Sequence, residues 1–361
     1  MELYESAGEP YNYTLYFYFK TFINRRKEKL MKSTTIVFTD QQKCEVLDEQ
    51  VSNPSPDDIL VRTVVSLTST GTESFCYRGV FDTDTGWSSW VNYPFYPGYS
   101  AVGEIVEVGS NVSSLKVGDR VYTGANHKEL HLTKPENVVK LPDTISYEAA
   151  AWSTLATITQ TAVRRAEHTM GDTAVVIGLG PLGQLVTQYL RTIGLGNILV
   201  IDTIPKRLAT ATRFGATATF NGIAADAGKF VSEQTEGQLA DVVYDVTGHW
   251  QVFPTALPLA RDFGRLILLG DSPEPSKQRL TQDILTRQVT VIGTHNTRLQ
   301  PEYAYWTRNR QIELFYKYIE RRIFHVEDLI THRYQPNQAP EVYEQFLHDR
   351  SQTLGVLFDW R

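Results

Sequence analysis

The pattern of hydrophobic positions changes near residue 146. Before it, apolar residues occur in short runs separated by turn residues, such as the run at 59–65 that follows Asn53-Pro-Ser-Pro. Short runs rich in Val, Ile and Thr, bounded by Gly, Pro and Asn, are typical of β-strands. We therefore predict an all-β, barrel-like region from Met31 to about Ala150. Its other predicted strands are residues 34–38, 103–108 and 119–122.

After residue 146, helical and strand patterns alternate. Ser146 is a favourable helix N-cap, and a helical pattern runs from it to about Glu167. Strands alternating with helices indicate βαβ units and a parallel sheet. An aromatic-rich helix is predicted at 303–322, with its aromatics in the core, and a last strand at 353–358. The predicted strands of the parallel sheet are residues 174–177, 197–201, 242–245, 265–269 and 289–292, with helices at 184–192 and 205–214.

The first 30 residues differ from the rest, with an aromatic segment at 11–19 followed by basic residues at 25–29. The apolar part is too short for a membrane span, and its charges follow it, whereas a secretory signal places them before. We expect a poorly ordered N-terminal extension, with a membrane-surface anchor as the alternative.

Charge and cysteine content narrow the class of protein. The 361 residues include 35 Lys and Arg against 41 Asp and Glu, a net charge of -6, which argues against a nucleic-acid partner. The two cysteines, Cys44 and Cys76, exclude a disulfide framework and a four-thiolate zinc site. We expect a cytoplasmic protein with a small-molecule substrate and no membrane partner.

A glycine motif, Gly178-Leu-Gly-Pro-Leu-Gly183, follows one predicted strand and opens a helix. An acidic residue, Asp202, ends the next strand. This arrangement predicts a dinucleotide-binding turn with the pyrophosphate at the helix N-terminus. Asp202 would accept hydrogen bonds from ribose hydroxyls and repel a 2′-phosphate, which favours NAD(H). The neighbouring Lys206 and Arg207 keep NADP(H) open, and a glycine turn that binds nothing is the structural alternative.

With that motif, the segments at 108–121, 141–143 and 171–180 resemble the medium-chain dehydrogenase/reductase superfamily. The resemblance implies an α/β protein with a GroES-like β-barrel catalytic domain, from residues 31–155 and 298–361, and a Rossmann domain, from 156–297. Segments 66–73 and 97–103 are most similar to the bacteriochlorophyllide dehydrogenase branch. Cofactor contacts are assigned to Gly178, Gly180, Leu182, Gly183, Asp202, Arg207, Thr157, Thr247 and Gly270.

The sequence departs from the zinc-containing members of this superfamily. At the positions of their catalytic zinc ligands it has Thr70, Tyr99-Ser100 and Ser153, none of which is a thiolate, imidazole or carboxylate. No cysteine occurs at 122–134, where their four-cysteine lobe lies. We predict that both zinc ions are absent. Glu73 replaces an acid that braces the zinc ligands and becomes a structural partner, and surface or structural positions are expected for His127, His131 and His295.

Without zinc, hydrogen-bond donors must stabilise the negative charge on a carbonyl oxygen. The resemblance assigns the proton-relay hydroxyl to Thr72, and the phenol of Tyr99 is a second donor; Thr70 and Ser153 would line the pocket. The predicted activity is zinc-independent, NAD(P)(H)-dependent hydride transfer to or from an alcohol/carbonyl pair. An enone reductase like the quinone oxidoreductases and a silent dinucleotide-binding redox sensor are the alternatives.

Two further features have open interpretations. The insert at 83–96 carries Trp87, Trp90, Tyr93, Phe95 and Tyr96, which either form a stacking wall for a substrate or pack against the barrel. The strand at 289–294 ends the predicted sheet, and an unprotected edge there favours a homodimer.

Overall fold

The computed structural model describes residues 30–296 and 298–361. The predicted N-terminal extension lies, except for Leu30, outside the described residues.

The first part of the described chain is mostly β-structure, but the prediction that it is all-β was wrong, because Thr70–Arg78 and Gly86–Trp90 form helices between two of its strands. β1 and β2 form an antiparallel hairpin, and the other five strands belong to one larger sheet. The backbone of the hairpin pairs with the rest of the domain at isolated bridges, one of which joins Phe38 to Phe95. The elements are β1 (Met31–Asp40), β2 (Lys43–Val51), β3 (Ile59–Thr68), α1 (Thr70–Arg78), α2 (Gly86–Trp90), β4 (Ala101–Val108), β5 (Arg120–Thr123), β6 (Leu130–Thr133) and β7 (Val139–Lys140).

The connecting segment forms two helices, α3 (Tyr147–Ala150) and α4 (Ser153–Arg165), where the sequence predicted one helical run. Ser146 caps α3, its hydroxyl accepting a hydrogen bond from the N–H of Ala149 at 3.0 Å. The chain turns at Ala151 and Trp152, both fully buried, before α4 begins. Burial of the bulky Trp152 side chain fixes the position of the new helix.

The second part contains a parallel sheet in the order β10-β9-β8-β11-β12-β13. The strand order reverses next to β8, so the sheet is doubly wound. This confirms the predicted fold class, although the sequence reading missed β10. The elements are β8 (Thr173–Ile177), α5 (Pro181–Thr192), β9 (Asn197–Asp202), α6 (Pro205–Phe214), β10 (Ala218–Asn221), α7 (Gly228–Gln234), β11 (Ala240–Asp245), α8 (Val252–Ala256), β12 (Ala260–Leu268), α9 (Asp283–Thr286) and β13 (Thr290–Gly293).

The end of the chain returns to the first part. It forms α10 (Arg308–Glu320), β14 (Ile330–Tyr334), α11 (Ala339–His348) and β15 (Gly355–Asp359). β15 lies between β14 and β3 and pairs antiparallel with β3, placing Leu357 opposite Leu67. Both ends of the described chain therefore build one sheet, as the GroES-like expectation requires. The exact domain boundaries at 155/156 and 297/298 stay predictions.

The aromatic-rich helix is shorter than predicted, because Thr307 caps α10 at Arg308. Its aromatic residues divide between the core and the surface. Phe315 and Tyr316 are buried as expected, whereas Tyr305, before the helix, is 65% exposed. The prediction that these aromatic residues lie in the core is therefore correct for Phe315 and Tyr316, within α10, and wrong for Tyr305, before it.

Candidate active site at the interdomain cleft

The glycine turn after β8 has the geometry that a dinucleotide-binding turn needs. Gly178 has φ of +91°, and a Cβ there would lie 2.7 Å from Cγ2 of Thr247. A Cβ on Gly183 would lie 2.0 Å from the carbonyl oxygen of Gly178, so this position excludes any side chain. Strand β8 and helix α5 can approach this closely only with glycine at both positions.

The space in front of the turn fits a dinucleotide. A Cβ on Gly180 would have no heavy atom within 4 Å, so the backbone there borders open space. Helix α5 begins at Pro181, so its N-terminus, with Leu182 in its first turn, opens on this space. Free N–H groups and the positive end of the helix dipole are suited to a pyrophosphate.

Asp202 lies beside the turn at the end of β9 and is buried. Its two carboxyl oxygens accept hydrogen bonds from the backbone N–H groups of Leu179 at 2.7 Å and Ile204 at 2.8 Å. A carboxylate has about four acceptor positions, so two remain for ribose hydroxyls. The carboxyl group is thus fixed in place where the sequence predicted a ribose contact.

Arg207 lies near this carboxylate, with Nη1 4.0 Å from Oδ2 of Asp202. Its Nη2 donates to the carbonyl oxygens of Arg350 at 2.6 Å and Thr353 at 3.0 Å, across the cleft. The guanidinium predicted as a cofactor contact therefore also ties α6 to the chain before β15.

Thr247 and Gly270 lie at the carboxyl ends of the next strands. Asp245, which ends β11, accepts hydrogen bonds from the N–H and hydroxyl of Thr247 at 3.0 and 2.7 Å. The N–H of Gly270 donates to the carbonyl oxygen of Asp245 at 3.0 Å. Burial raises the pKa of Asp245 to about 6, although the hydrogen bonds from Thr247 and Gly248 oppose this. The predicted cofactor positions Gly178, Thr247 and Gly270 thus adjoin one another.

Tyr99 and Thr72 meet as the sequence predicted. The phenol of Tyr99 interacts with the hydroxyls of Thr72 and Ser69, at the start of α1. Burial raises the pKa of Tyr99 above its ordinary value, which keeps the phenol protonated and able to donate. Ser69 was missed by the sequence reading, although it precedes Thr70 at the helix start, where hydroxyl residues are common.

Thr70, Ser153 and Thr157 are buried, and the hydroxyls of Ser153 and Thr157 have partners within the protein. The hydroxyl of Ser153 donates to the carbonyl oxygen of Ala150 at 2.7 Å and lies 3.0 Å from the hydroxyl of Tyr316. The hydroxyl of Thr157 donates to the carbonyl oxygen of Thr154 at 2.8 Å. These three residues support the cleft wall. Tyr316, which the sequence did not predict at this site, lies beside Ser153.

Glu73 makes a buried network beside the Tyr99 cluster. Its Oε1 accepts the N–H of Ser69 at 2.7 Å, and its Oε2 accepts from Tyr343 at 2.5 Å and lies 3.1 Å from Nε2 of His127. Nδ1 of the fully buried His127 is 2.7 Å from the hydroxyl of Ser66. These contacts fit the structural-partner reading of Glu73 and hold the start of α1 in position.

The family's catalytic zinc does not fit the donor set at these positions. Ser153 has its own hydrogen-bond partners, Tyr99 keeps its proton, and Glu73 is used by His127 and Tyr343. Within the described ranges, no three His, Cys, Asp or Glu side chains form a group able to hold a metal ion. Zinc needs three or four such ligands at one point.

The aromatic insert packs largely against the barrel. Trp87 is 5% exposed, its ring lies 5.7 Å from that of Phe75, and Phe95 stacks on Phe38 at 6.1 Å. Trp90 is 49% exposed and rests on Trp87 and Phe95. Packing against the barrel, one of the two open interpretations, thus describes most of the insert.

Comparison with known families agrees with this architecture. Residues 55–170 match the alcohol dehydrogenase GroES-like domain, and residues 181–308 match the zinc-binding dehydrogenase family. The D-arabitol-phosphate dehydrogenase of Enterococcus avium is 25% identical over 352 residues, covering 88% of this chain and 95% of the relative.

Solved structures show the same fold. A zinc-binding dehydrogenase from Sinorhizobium meliloti 1021 bound to NADP has a TM-score of 0.77 at 20% identity, covering 91% of this chain and 99% of that one. A quinone oxidoreductase from Pseudomonas syringae has a TM-score of 0.73 at 22% identity, over 91% and 99%.

The chain belongs to the medium-chain dehydrogenase/reductase superfamily and is an oxidoreductase of that type. The resemblance to the superfamily and the fold class predicted from the sequence are confirmed, whereas the similarity to the bacteriochlorophyllide dehydrogenase branch stays a prediction. No helix among the described residues is long and apolar enough to cross a membrane.

Proposed function

We propose that this protein transfers hydride between a nicotinamide cofactor and an alcohol/carbonyl pair without zinc. The observation that carries the proposal is the cluster of Tyr99, Thr72 and Ser69 hydroxyls, in which Tyr99 has the position that the resemblance gives to a zinc ligand. A bound nicotinamide supplies or accepts the hydride. The protein's part is to hold the substrate oxygen and to move its proton.

In the reductive direction, negative charge develops on the carbonyl oxygen. The protonated phenol of Tyr99 donates a hydrogen bond, and then the proton, to that oxygen. The hydroxyls of Thr72 and Ser69 donate to the phenolic oxygen and stabilise the phenolate that results, which agrees with their lowering of the Tyr99 pKa. The donors are fixed before reaction, because the hydrogen bond from the N–H of Ser69 to the carboxylate of Glu73 holds the start of α1.

The preferred cofactor in this proposal is NAD(H). The buried carboxylate of Asp202 would repel the 2′-phosphate of NADP(H) and bind the free ribose hydroxyls. Arg207 is the residue best placed to offset that charge. Its Nη2, however, donates hydrogen bonds to two carbonyl oxygens of the opposite domain. Each binding measurement therefore compares NAD(H) with NADP(H), the alternative cofactor.

The test starts from protein purified without added metal and treated with a chelator. Zinc is measured by mass spectrometry, and turnover is followed through NADH absorbance with a panel of ketones, aldehydes and secondary alcohols. We expect less than one zinc per ten chains and turnover that added zinc does not increase. Stoichiometric zinc, or activity that appears only with added zinc, would refute zinc independence.

An enone reductase is the second candidate, favoured by the structural similarity to a quinone oxidoreductase. The same panel includes quinones and conjugated enones. Reduction of the C=C bond, without alcohol formation, would replace the alcohol/carbonyl proposal. Saturable NADH binding without turnover of any compound in the panel would instead favour a dinucleotide-binding redox sensor.

We also propose a cytoplasmic homodimer that pairs through β13. This strand is an edge of the six-stranded sheet, and its outer backbone groups are suited to pairing across a two-fold axis. Sedimentation of the full chain would show a single species of twice the chain mass, and a monomer would refute it.

A further inference from the structure

The segment that carries Tyr99 has no regular secondary structure, and side chains from other segments hold its backbone. Nδ2 of Asn126 donates to the carbonyl oxygen of Gly98 at 2.9 Å. The hydroxyl of Thr154, in the first turn of α4, donates to the carbonyl oxygen of Tyr99 at 2.7 Å. These two carbonyl groups belong to the planar peptides before and after Tyr99. Fixing both planes fixes the direction in which the Tyr99 side chain leaves the backbone.

The Thr154 hydroxyl is itself held by a chain of hydrogen bonds. Its oxygen lies 2.6 Å from the hydroxyl of Tyr122, a fully buried residue of β5. Nη2 of Arg308, the first residue of α10, donates to the same Tyr122 hydroxyl at 2.7 Å. The guanidinium also lies over the Tyr122 ring, 5.1 Å from its centroid. Three elements from separate parts of the chain, α4, β5 and α10, thus meet next to Tyr99.

The direction of each hydrogen bond follows from the groups that make it. A guanidinium only donates, so the hydroxyl oxygen of Tyr122 accepts from Arg308. A carbonyl oxygen only accepts, so the single hydroxyl hydrogen of Thr154 is used on Tyr99. Tyr122 therefore donates to Thr154. All three bonds point from a positive charge towards the Tyr99 carbonyl group, and bonds in such a chain polarise and strengthen one another.

A glycine leaves room for the charged end of this chain. A Cβ on Gly124 would lie 2.9 Å from Nη2 of Arg308 and 3.9 Å from the carbonyl oxygen of Tyr99. A side chain at this position would displace the guanidinium from the Tyr122 hydroxyl. The glycine therefore lets Arg308, an exposed residue, reach a buried phenol.

We propose that Tyr122 and Thr154 are positioning residues, which hold the phenol of Tyr99 in its donating orientation. Arg308 anchors the far end of the chain. The inference rests on the proposed role of Tyr99 as proton donor. Without the chain, the peptide after Tyr99 could rotate, and the phenol would move away from the hydroxyls at the start of α1. A small displacement of a reacting group is costly for a catalytic rate.

The test removes single hydroxyls of the chain. Tyr122→Phe and Thr154→Val each delete one and nearly keep the shape of the side chain. With the best carbonyl substrate of the panel, we expect each variant to lower kcat about fivefold, the value of one neutral hydrogen bond. KM and the Kd of NADH should stay within about twofold of wild type, because a loss of position affects the transition state. Thr154→Ser keeps the donor and should restore kcat to within about twofold of wild type.

The matched control is Thr159→Val, in the same helix. The Thr159 hydroxyl is fully buried and donates within α4, to the carbonyl oxygens of Leu155 at 2.9 Å and Ala156 at 3.0 Å. Its loss should leave kcat unaffected. A loss of kcat in Thr159→Val equal to that in Thr154→Val would indicate general damage to α4 and would overturn the inference.

A double-mutant cycle asks whether the chain acts through Tyr99. In a Tyr99→Phe background, Tyr122→Phe should cause no further loss of kcat, because the group that it positions is already gone. If Tyr122→Phe lowers kcat by the same factor with and without the Tyr99 phenol, its effect does not pass through Tyr99 and the inference is wrong.

Hydrogen exchange gives a measurement that needs no turnover. Exchange of the backbone amides of residues 96–101 is followed by mass spectrometry. It should be faster by about threefold or more in Tyr122→Phe and Thr154→Val than in wild type or Thr159→Val, because the segment opens more readily. Unchanged exchange overturns the inference, whatever the turnover. Absence of turnover in wild type, or a kcat that Tyr99→Phe leaves unaltered, refutes the proposed function instead, and exchange alone then decides the inference.

Discussion

The two ends of the cleft are built in different ways. At the adenosine end, backbone groups dominate: the glycine turn, the start of α5 and the amides that hold Asp202. At the substrate end, side chains from separate segments meet, as in the Tyr99 cluster. The adenosine end can bind the part of the cofactor that all members of the superfamily share. The substrate end can change its chemistry through a few substitutions.

The largest effect should come from the substrate end. Tyr99→Phe removes the proposed proton donor and should lower kcat by about 100-fold to 1,000-fold, the usual cost of losing an oxyanion donor. The Kd of NADH, measured by fluorescence, should not change, because Tyr99 lies outside the dinucleotide turn. A kcat within threefold of wild type would show that another group supplies the proton.

Asp245 lies between the two ends of the cleft, and its raised pKa predicts that the stability of the protein depends on pH. Its folded pKa of about 6 lies above the unfolded value of about 3.9, so the folded state binds more protons between these values. Its contribution to stability is present below about pH 4 and is lost as the pH rises through 6. At about 1.4 kcal/mol per unit, the loss reaches about 3 kcal/mol.

Asp245→Asn, which is uncharged, should remove this loss. The free energy of unfolding of both proteins is measured with urea at pH 4.5, 5.5 and 7. The difference between variant and wild type should change in favour of the variant as the pH rises. A stability difference that is the same at all three values would contradict the raised pKa.

At the adenosine end, Asp202→Ala should weaken NADH binding by about tenfold, since a charged acceptor of ribose hydroxyls is lost. NADPH binding should strengthen or stay constant. Lys229→Ala, which changes an exposed side chain of α7 in the same domain, serves as the control. Unchanged selectivity between the two cofactors would remove Asp202 from ribose recognition.

The smallest effect is expected for Thr72→Val, which deletes one hydroxyl beside Tyr99. Loss of one neutral hydrogen bond is worth about 1 kcal/mol, so kcat should fall about fivefold. The pKa that limits kcat should rise, because Thr72 lowers the pKa of Tyr99. An unaltered pH profile would mean that Thr72 has only a structural role.

The sequence predicted what depends on local pattern. The glycine turn and Asp202 lie within one βαβ unit, and the meeting of Thr72 with Tyr99 followed from the family resemblance. The contacts it missed join distant segments: Glu73 binds His127, 54 positions away, and Tyr343, 270 positions away. Neither periodicity nor motif spacing encodes such contacts, because only the completed fold brings the segments together.

The position of β15 has a consequence for synthesis. The last strand of the chain lies between β14 and β3, inside the sheet. While the chain leaves the ribosome, the edge of β3 at residues 65–68 stays unpaired until β15 has been made, because β6 covers only residues 59–62 of that edge. The parallel sheet, contiguous from β8 to β13, can form earlier. A chain stopped before β15 would therefore carry an open β3 edge suited to pairing with other chains, and we expect such truncations to aggregate.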